Sequence, residues 1–302
     1  MTLLDRTIVR LLPAVPKPVV QLFSSRYIAG STLEDALRVV RRLNGQGKMA
    51  TLAVLGEEIT QESEARAIAQ TYCEVFAAIE SGRLDSNASV KPTALGLDLS
   101  YDLCRENLES VLREAAKSGN FVRIDMEDSS TTSDTLRLYR ELRGKGFENV
   151  GVVLQAYLRR SLDDVRALAD LEPNVRLCKG IYIEPPAIAF TDYDAVRANY
   201  VRCLDALLDA GAYVGVATHD EWLIGEALTR VQGLQPSGYE FQMLLGVREQ
   251  RANELVAAGH RLRVYVPFGE HWYQYSLRRL QENPAMAGTI ARATVGRVLG
   301  RS

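Results

Sequence analysis

VGVVLQAYLRRSLDDVRALADLEPNVRLCKGIYI, Val150 to Ile183, carries two short apolar runs with one amphipathic segment between them. The runs, VGVVLQAY (Val150 to Tyr157) and VRLCKGIYI (Val175 to Ile183), are nearly continuous in β-branched and apolar residues, as strands buried on both faces are. SLDDVRALADL between them has helical spacing. A strand, a helix and a second strand in this order call for a parallel pair with a crossover helix covering it.

The same unit recurs in both directions along the chain. MATLAVLG (Met49 to Gly56), VKPTALGLD (Val90 to Asp98) and FVRIDMED (Phe121 to Asp128) precede it, and YVGVATHD (Tyr213 to Asp220), YEFQMLLG (Tyr239 to Gly246) and RLRVYVPFG (Arg261 to Gly269) follow. The segments between, such as ESEARAIAQTYCEVFAAIESG and YDAVRANYVRCLDALLDAG, are amphipathic, and several end on the glycine that stops a helix. Eight evenly spaced strand–helix units predict a closed (β/α)8 TIM-type barrel, with an open doubly wound sheet as the alternative. The chain has 302 residues, 47% of them hydrophobic, and shows no linker or change of composition. A single barrel domain over residues 1–302 is expected, with 1–48 as an N-terminal helical segment packed on it. The start, MTLLDRTIVRLLPAVPKPVVQLFSSRYIAG, has the amphipathic pattern of a presequence or membrane-surface helix, but Asp5 and the Pro13, Pro16 and Pro18 cluster favour the packed helix.

Charge and composition exclude several classes. A net charge of −2 with mixed signs lacks the basic footprint of a nucleic-acid binder. Cys73, Cys104, Cys178 and Cys203 are far apart, and His219, His260 and His271 are not spaced as ligands, so neither a disulfide framework nor a metal site is expected. No run approaches the ~18 apolar residues that span a bilayer. There is no GxGxxG, P-loop or GxSxG elbow, which leaves any nucleotide cofactor to be held at the barrel mouth.

Barrel enzymes place their chemistry at the C-terminal ends of the strands, and a polar side chain buried there without a partner is costly. Lys91, Asp125, Gln155, Arg176, Lys179, Thr218, His219, Glu240 and Gln242 occupy such positions on six strands. That spread points to one shared site, while Lys91 and Asp125, on neighbouring strands, also fit a structural salt bridge. After the last run, which is expected to break at Pro267, a helical segment carries Trp272, Tyr275, Arg278, Arg279 and Glu282 at three- and four-residue spacings. Two adjacent guanidiniums beside aromatics suit a clamp for a small carboxylate, and an ordinary surface helix with an apolar stripe suits the same spacing.

VRLCKGIY, VATHD, YEFQMLLG and the block RVYVPFG…WYQY…RRLQENP, with VKPTALGLD and RIDMED before them, resemble in order the motifs of the proline dehydrogenase family. The likeness runs from about Met49 to the end and is to the short monofunctional bacterial form. It implies a distorted barrel with FAD over the strand ends, a final helix closing over the site, and oxidation of L-proline to Δ1-pyrroline-5-carboxylate by hydride transfer to FAD, the first step of proline catabolism. It implies that Arg278, Arg279 and Lys91 take the proline carboxylate, that Tyr265, Tyr275 and Leu244 wall the ring, and that Asp125 holds the site together. Gln155, Arg176, Lys179, Gly180, Ile181, Thr218, His219 and Glu282 match cofactor positions, with Arg176 near the flavin N5 and O4 edge. It further implies a membrane quinone as electron acceptor, and so a cytoplasmic protein in peripheral contact with the inner face of the cell membrane, or a mitochondrial one in a eukaryote. Ile181 departs from the small residue usual in the family and is expected to narrow the flavin pocket or shift the substrate. Cys178 stands for a common valine and reads as packing. The rival reading from strand position alone is a Schiff-base aldolase using Lys91 or Lys179.

Overall fold

The computed structural model describes residues 26–56, 59–273 and 276. Within them the strands are β1 (Met49–Val54), β2 (Ser86–Val90), β3 (Val122–Ile124), β4 (Val150–Gln155), β5 (Asn174–Cys178), β6 (Tyr213–Ala217), β7 (Tyr239–Leu244) and β8 (Leu262–Phe268). All neighbours are parallel, and β8 returns to β1 in register from Met49↔Arg263 to Val54↔Phe268, which closes the barrel in sequence order. The (β/α)8 barrel expected from the strand count is therefore present.

Helices α1 (Leu33–Asn44), α2 (Glu62–Ser81), α3 (Tyr101–Lys117), α4 (Thr132–Gly144), α5 (Ser161–Leu168), α6 (Tyr193–Asp209), α7 (Glu221–Arg230) and α8 (Glu249–Ala257) alternate with the strands, α1 preceding β1. Their starts are chemically marked. Thr32 and Asp35 form a capping box on α1, Asp192 caps α6 and Asp220 caps α7, each satisfying amide donors that the first turn would leave orphaned. Ala36, Leu37, Val40 and Leu43 of α1 are buried against β1 and β8 in the same apolar layer that the other helices share with the outer strand faces. Tyr275, Arg278, Arg279 and Glu282, expected on a final helix closing over the site, lie outside the described residues.

Two boundaries differ from expectation. The run VKPTALGLD is not the second strand; β2 is SNASV, and residues 91–99 form the turns that follow it. Asn87 and Ser89 face the barrel interior and only Ala88 and Val90 are apolar, so β2 lacks the continuous apolar run of its neighbours. Leu95 and Leu97, which mimic a strand in sequence, are buried by turns, and Glu127 anchors this loop by accepting from Thr93 N at 2.9 Å and Thr93 Oγ1 at 2.6 Å. The second difference is at Pro267, where the strand was expected to break. β8 continues through it to Phe268, and Pro267 O accepts from Ala29 N at 2.9 Å.

The barrel interior is polar rather than aliphatic. Ser89, Arg123, Arg176, Glu240, Gln242 and Arg263 are all buried there. Arg123 donates to Val152 O at 2.9 Å and to Asn174 O at 2.6 Å, with Phe121 stacked on its guanidinium, so this lower cation is satisfied by carbonyls. The charged column continues upward to the strand ends.

Candidate active site

The strand ends open onto a cavity of about 640 Å³. Lys91, Asp125, Gln155, Arg176, Lys179, Gly180, Ile181, Thr218, His219, Leu244 and Tyr265 all line it. Of the other polar strand-end residues anticipated there, Gln242 also lines the cavity, whereas Glu240 does not and pairs with Gln242 and Arg263. Val153, Met126 and Leu244 supply apolar wall between the polar groups, the mixture that small-molecule sites use.

Asp125 is the hub of the floor. Its Oδ1 accepts from Arg176 Nη1 at 2.7 Å and from Ser89 Oγ at 2.5 Å. Its Oδ2 accepts from Tyr265 OH at 3.2 Å and lies 3.7 Å from Lys91 Nζ. Burial alone would push this carboxyl up, but Arg176 and then Lys91 beside it hold it below its ordinary value. Lys91 Nζ also donates to Tyr265 OH at 3.3 Å, so the phenol bridges cation and anion. The salt bridge anticipated between Lys91 and Asp125 is real, and it is part of the cavity floor rather than an alternative to it.

A second hub sits on the β6 side of the mouth. Arg197 Nε and Nη2 grip Asp220 at 2.9 and 2.7 Å, Tyr193 OH donates at 2.6 Å and Lys179 Nζ at 3.3 Å. Hydrogen bonding from Arg197 leads the causes that hold the Asp220 carboxyl well below the carboxylate range. Tyr193 and Arg197 are four residues apart on α6, so one helix face delivers both. Arg197 lies over Tyr193 and Trp222 with centroid distances of 4.3 and 5.2 Å. Sequence reading missed this group: Asp220 was visible as a polar residue closing a strand, but nothing local says that α6 reaches across to it.

His219 Nε2 accepts from Leu244 N at 2.9 Å, which ties the β6 end to β7. Gly180 has φ +102°, and a Cβ there would come within 2.0 Å of Tyr157 Cδ1. Only glycine lets the loop after β5 pass the ring so closely. Ile181 follows on the cavity rim, 41% exposed. Five cations (Lys91, Arg176, Lys179, Arg197, Arg248) face three carboxylates (Asp125, Asp220, Glu221) around the lining, an excess that favours an anionic occupant.

Residues 36–292 match the family model for proline dehydrogenase. The chain is 40% identical over 272 residues to proline dehydrogenase 1 of Bacillus subtilis, covering 89% of this chain and 90% of that protein. It is 37% identical over 273 residues to the proline dehydrogenase of Deinococcus radiodurans, covering 88% of each. Among solved structures it is similar to proline utilization A from Bdellovibrio bacteriovorus inactivated by N-propargylglycine, with TM-score 0.83 and 26% identity over 92% of this chain and 36% of that one.

Proposed function

The chain belongs to the proline dehydrogenase family, and on that premise we propose that the barrel mouth holds FAD and oxidises L-proline to Δ1-pyrroline-5-carboxylate, passing electrons to a quinone. The chain is a flavoprotein oxidoreductase acting on proline in proline catabolism. The observation that carries the finer reading is the Asp125 hub, which fixes Arg176, Lys91 and Tyr265 around one cavity with excess positive charge.

The donor set fits a flavin dinucleotide. Its pyrophosphate needs cations, for which Lys179 is suited, and its ring edge needs donors, for which Arg176, Gln155, Thr218 and His219 are suited, with Gly180 and Ile181 as the loop beside it. Glu282 belongs with this group by sequence. Bound FAD supplies the two-electron acceptor. This chain's residues do the rest. Proline offers one strong handle, its carboxylate, for which Arg278, Arg279 and Lys91 would supply a charge-assisted clamp. Tyr265, Tyr275 and Leu244 would wall the ring and orient its C5 for transfer. Asp125 keeps Arg176, Lys91 and the Tyr265 phenol in fixed register, so none must reorganise during the reaction. The clamp takes up the carboxylate charge, and the ring ammonium gives its proton to solvent on binding, which leaves the amine neutral for oxidation. Quinone as acceptor implies peripheral contact with the inner face of the membrane; no helix among the described residues is long and apolar enough to cross it.

The aldolase reading needs a free amine at Lys91 or Lys179. Lys179 lies 3.3 Å from Asp220 and Lys91 3.7 Å from Asp125, so both are placed as ion-pair partners rather than as nucleophiles. Cofactor identity is tested by heat-releasing the flavin from purified protein and separating it chromatographically. FAD at near-stoichiometric yield supports the proposal, and FMN or no flavin refutes it.

A further inference from the structure

Below the cavity floor a buried chain of polar groups joins two guanidiniums through an amide and a carboxylate. Arg176 Nε donates to Gln242 Oε1 at 2.6 Å, Gln242 Nε2 donates to Glu240 Oε1 at 2.6 Å, and Arg263 Nε donates to the same oxygen at 2.8 Å. Gln242 is 6% exposed and Glu240 2%, so water offers neither an alternative partner.

Chemistry dictates which way the amide points. Burial raises the Glu240 carboxyl, but Arg263, and hydrogen bonds that include Tyr213 OH at 2.8 Å, hold it ionised and therefore acceptor-only. The Gln242 NH2 must face it, which turns the amide oxygen toward Arg176. On β6, at the position paired with Glu240, stands Gly215, where a Cβ would fall 2.5 Å from Gln242 Nε2 and 3.0 Å from its Cδ. The missing side chain is the socket that the amide fills. At its other end the Arg176 guanidinium is held through Nη1 by Asp125 at 2.7 Å and Ser89 at 3.2 Å. Anchors at Nε and Nη1 together fix the plane of a group that otherwise turns freely on its stem.

We propose that Gln242, oriented by Glu240, is a positioning residue that aims Arg176 into the cavity and so helps set the flavin's reduction potential and the rate of proline oxidation. This rests on the reading that Arg176 lies at the flavin edge. A cation held there favours the more negative reduced form, and one left to rotate favours it less.

The test uses the holoenzyme with four variants: Gln242→Met, Gln242→Glu, Glu240→Gln, and the double Gln242→Glu/Glu240→Gln. Gln242→Met removes the acceptor for Arg176. Gln242→Glu keeps it but sets two carboxylates side by side, and Glu240→Gln takes the charge from Arg263. The double variant reverses the polarity of the chain, placing the carboxylate against Arg176 and an amide that can donate to it and accept from Arg263. Each single variant is expected to lower kcat by about ten- to hundredfold, the scale of one hydrogen bond to a charged group. Gln242→Met should also move the flavin midpoint potential negative, with KM for proline changed much less than kcat. The double should recover kcat about tenfold over Gln242→Glu, which keeps the experiment readable where a single variant folds poorly. A double no better than the worse single, or a Gln242→Met enzyme with parental kcat and midpoint, would overturn the positioning role. Arg176→Lys, measured alongside, separates the two readings. An unchanged midpoint there overturns the placement of Arg176 itself. A shifted midpoint there with a silent Gln242→Met overturns the role of Gln242 alone.

Discussion

Removing Arg176 should do more than lose a contact; it should shrink Asp125's contribution to stability and weaken its pH dependence. The pair is 2.7 Å apart with side chains 9% and 12% exposed, so each charge relies on the other rather than on water. Truncating one partner of such a pair typically costs ~3–5 kcal/mol. In Arg176→Met the orphaned Asp125 keeps Tyr265 OH at 3.2 Å and Lys91 at 3.7 Å, which puts the cost near the lower end of that range. Asp125→Asn leaves Lys91 and Arg176 without their anion and should cost at least as much. The double variant removes both charges, so its cost should fall short of the sum of the singles by about 1.5–3 kcal/mol. Urea unfolding at pH 7, followed by far-UV circular dichroism, measures all four proteins. Costs additive within about 0.5 kcal/mol would refute the coupling.

The pH dependence gives an independent check on the same pair. In the parent the folded Asp125 carboxyl lies below its unfolded value. Its stabilisation is therefore complete above the unfolded value of about 3.9 and lost as pH falls through the folded one. Without Arg176 the strongest opposition to burial is gone, so the folded value moves up while Lys91, Ser89 and Tyr265 still oppose burial. The stability lost on acidification through this group is therefore expected to shrink. A urea midpoint with the same slope against pH in parent and Arg176→Met would contradict this.

Other substitutions probe the rim and the clamp. Gly180→Ala puts a Cβ at φ +102° and 2.0 Å from Tyr157 Cδ1, and should cost about 1–3 kcal/mol and lower flavin content, read by thermal melting and the visible-to-protein absorbance ratio. Arg278→Met and Arg279→Met should each raise KM for proline by about one to two decades while flavin content stays near normal, and an unchanged KM in both would return these arginines to the surface. Tyr265→Ser should open space beside the pyrroline C4, weaken proline by about 1–3 kcal/mol, and narrow the kcat/KM gap between proline and trans-4-hydroxyproline. A ratio unchanged from the parent would leave Tyr265 as packing.

The barrel was legible in sequence because buried parallel strands such as VGVVLQAY have little choice but to be apolar, whereas β2 was not, because its inward residues Asn87 and Ser89 serve the polar interior. The cavity floor was legible for a related reason. Lys91, Asp125, Gln155 and Arg176 are costly at strand ends unless they meet, and the closed barrel brings them to one cavity. What could not be read were partners supplied by helices. Tyr193 and Arg197 look like any exposed i,i+4 pair until the turn of α6 carries them to Asp220. Pairings within a barrel layer were also hidden, since the Arg176–Gln242 bond joins strands that are not neighbours in the sheet.

The absorbance spectrum of the purified protein, recorded anaerobically before and after L-proline, tests the central claim most directly. Oxidised flavin bands that bleach with L-proline, and far less with D-proline at equal concentration, are the predicted result. Flavin bands that persist in excess L-proline would contradict it.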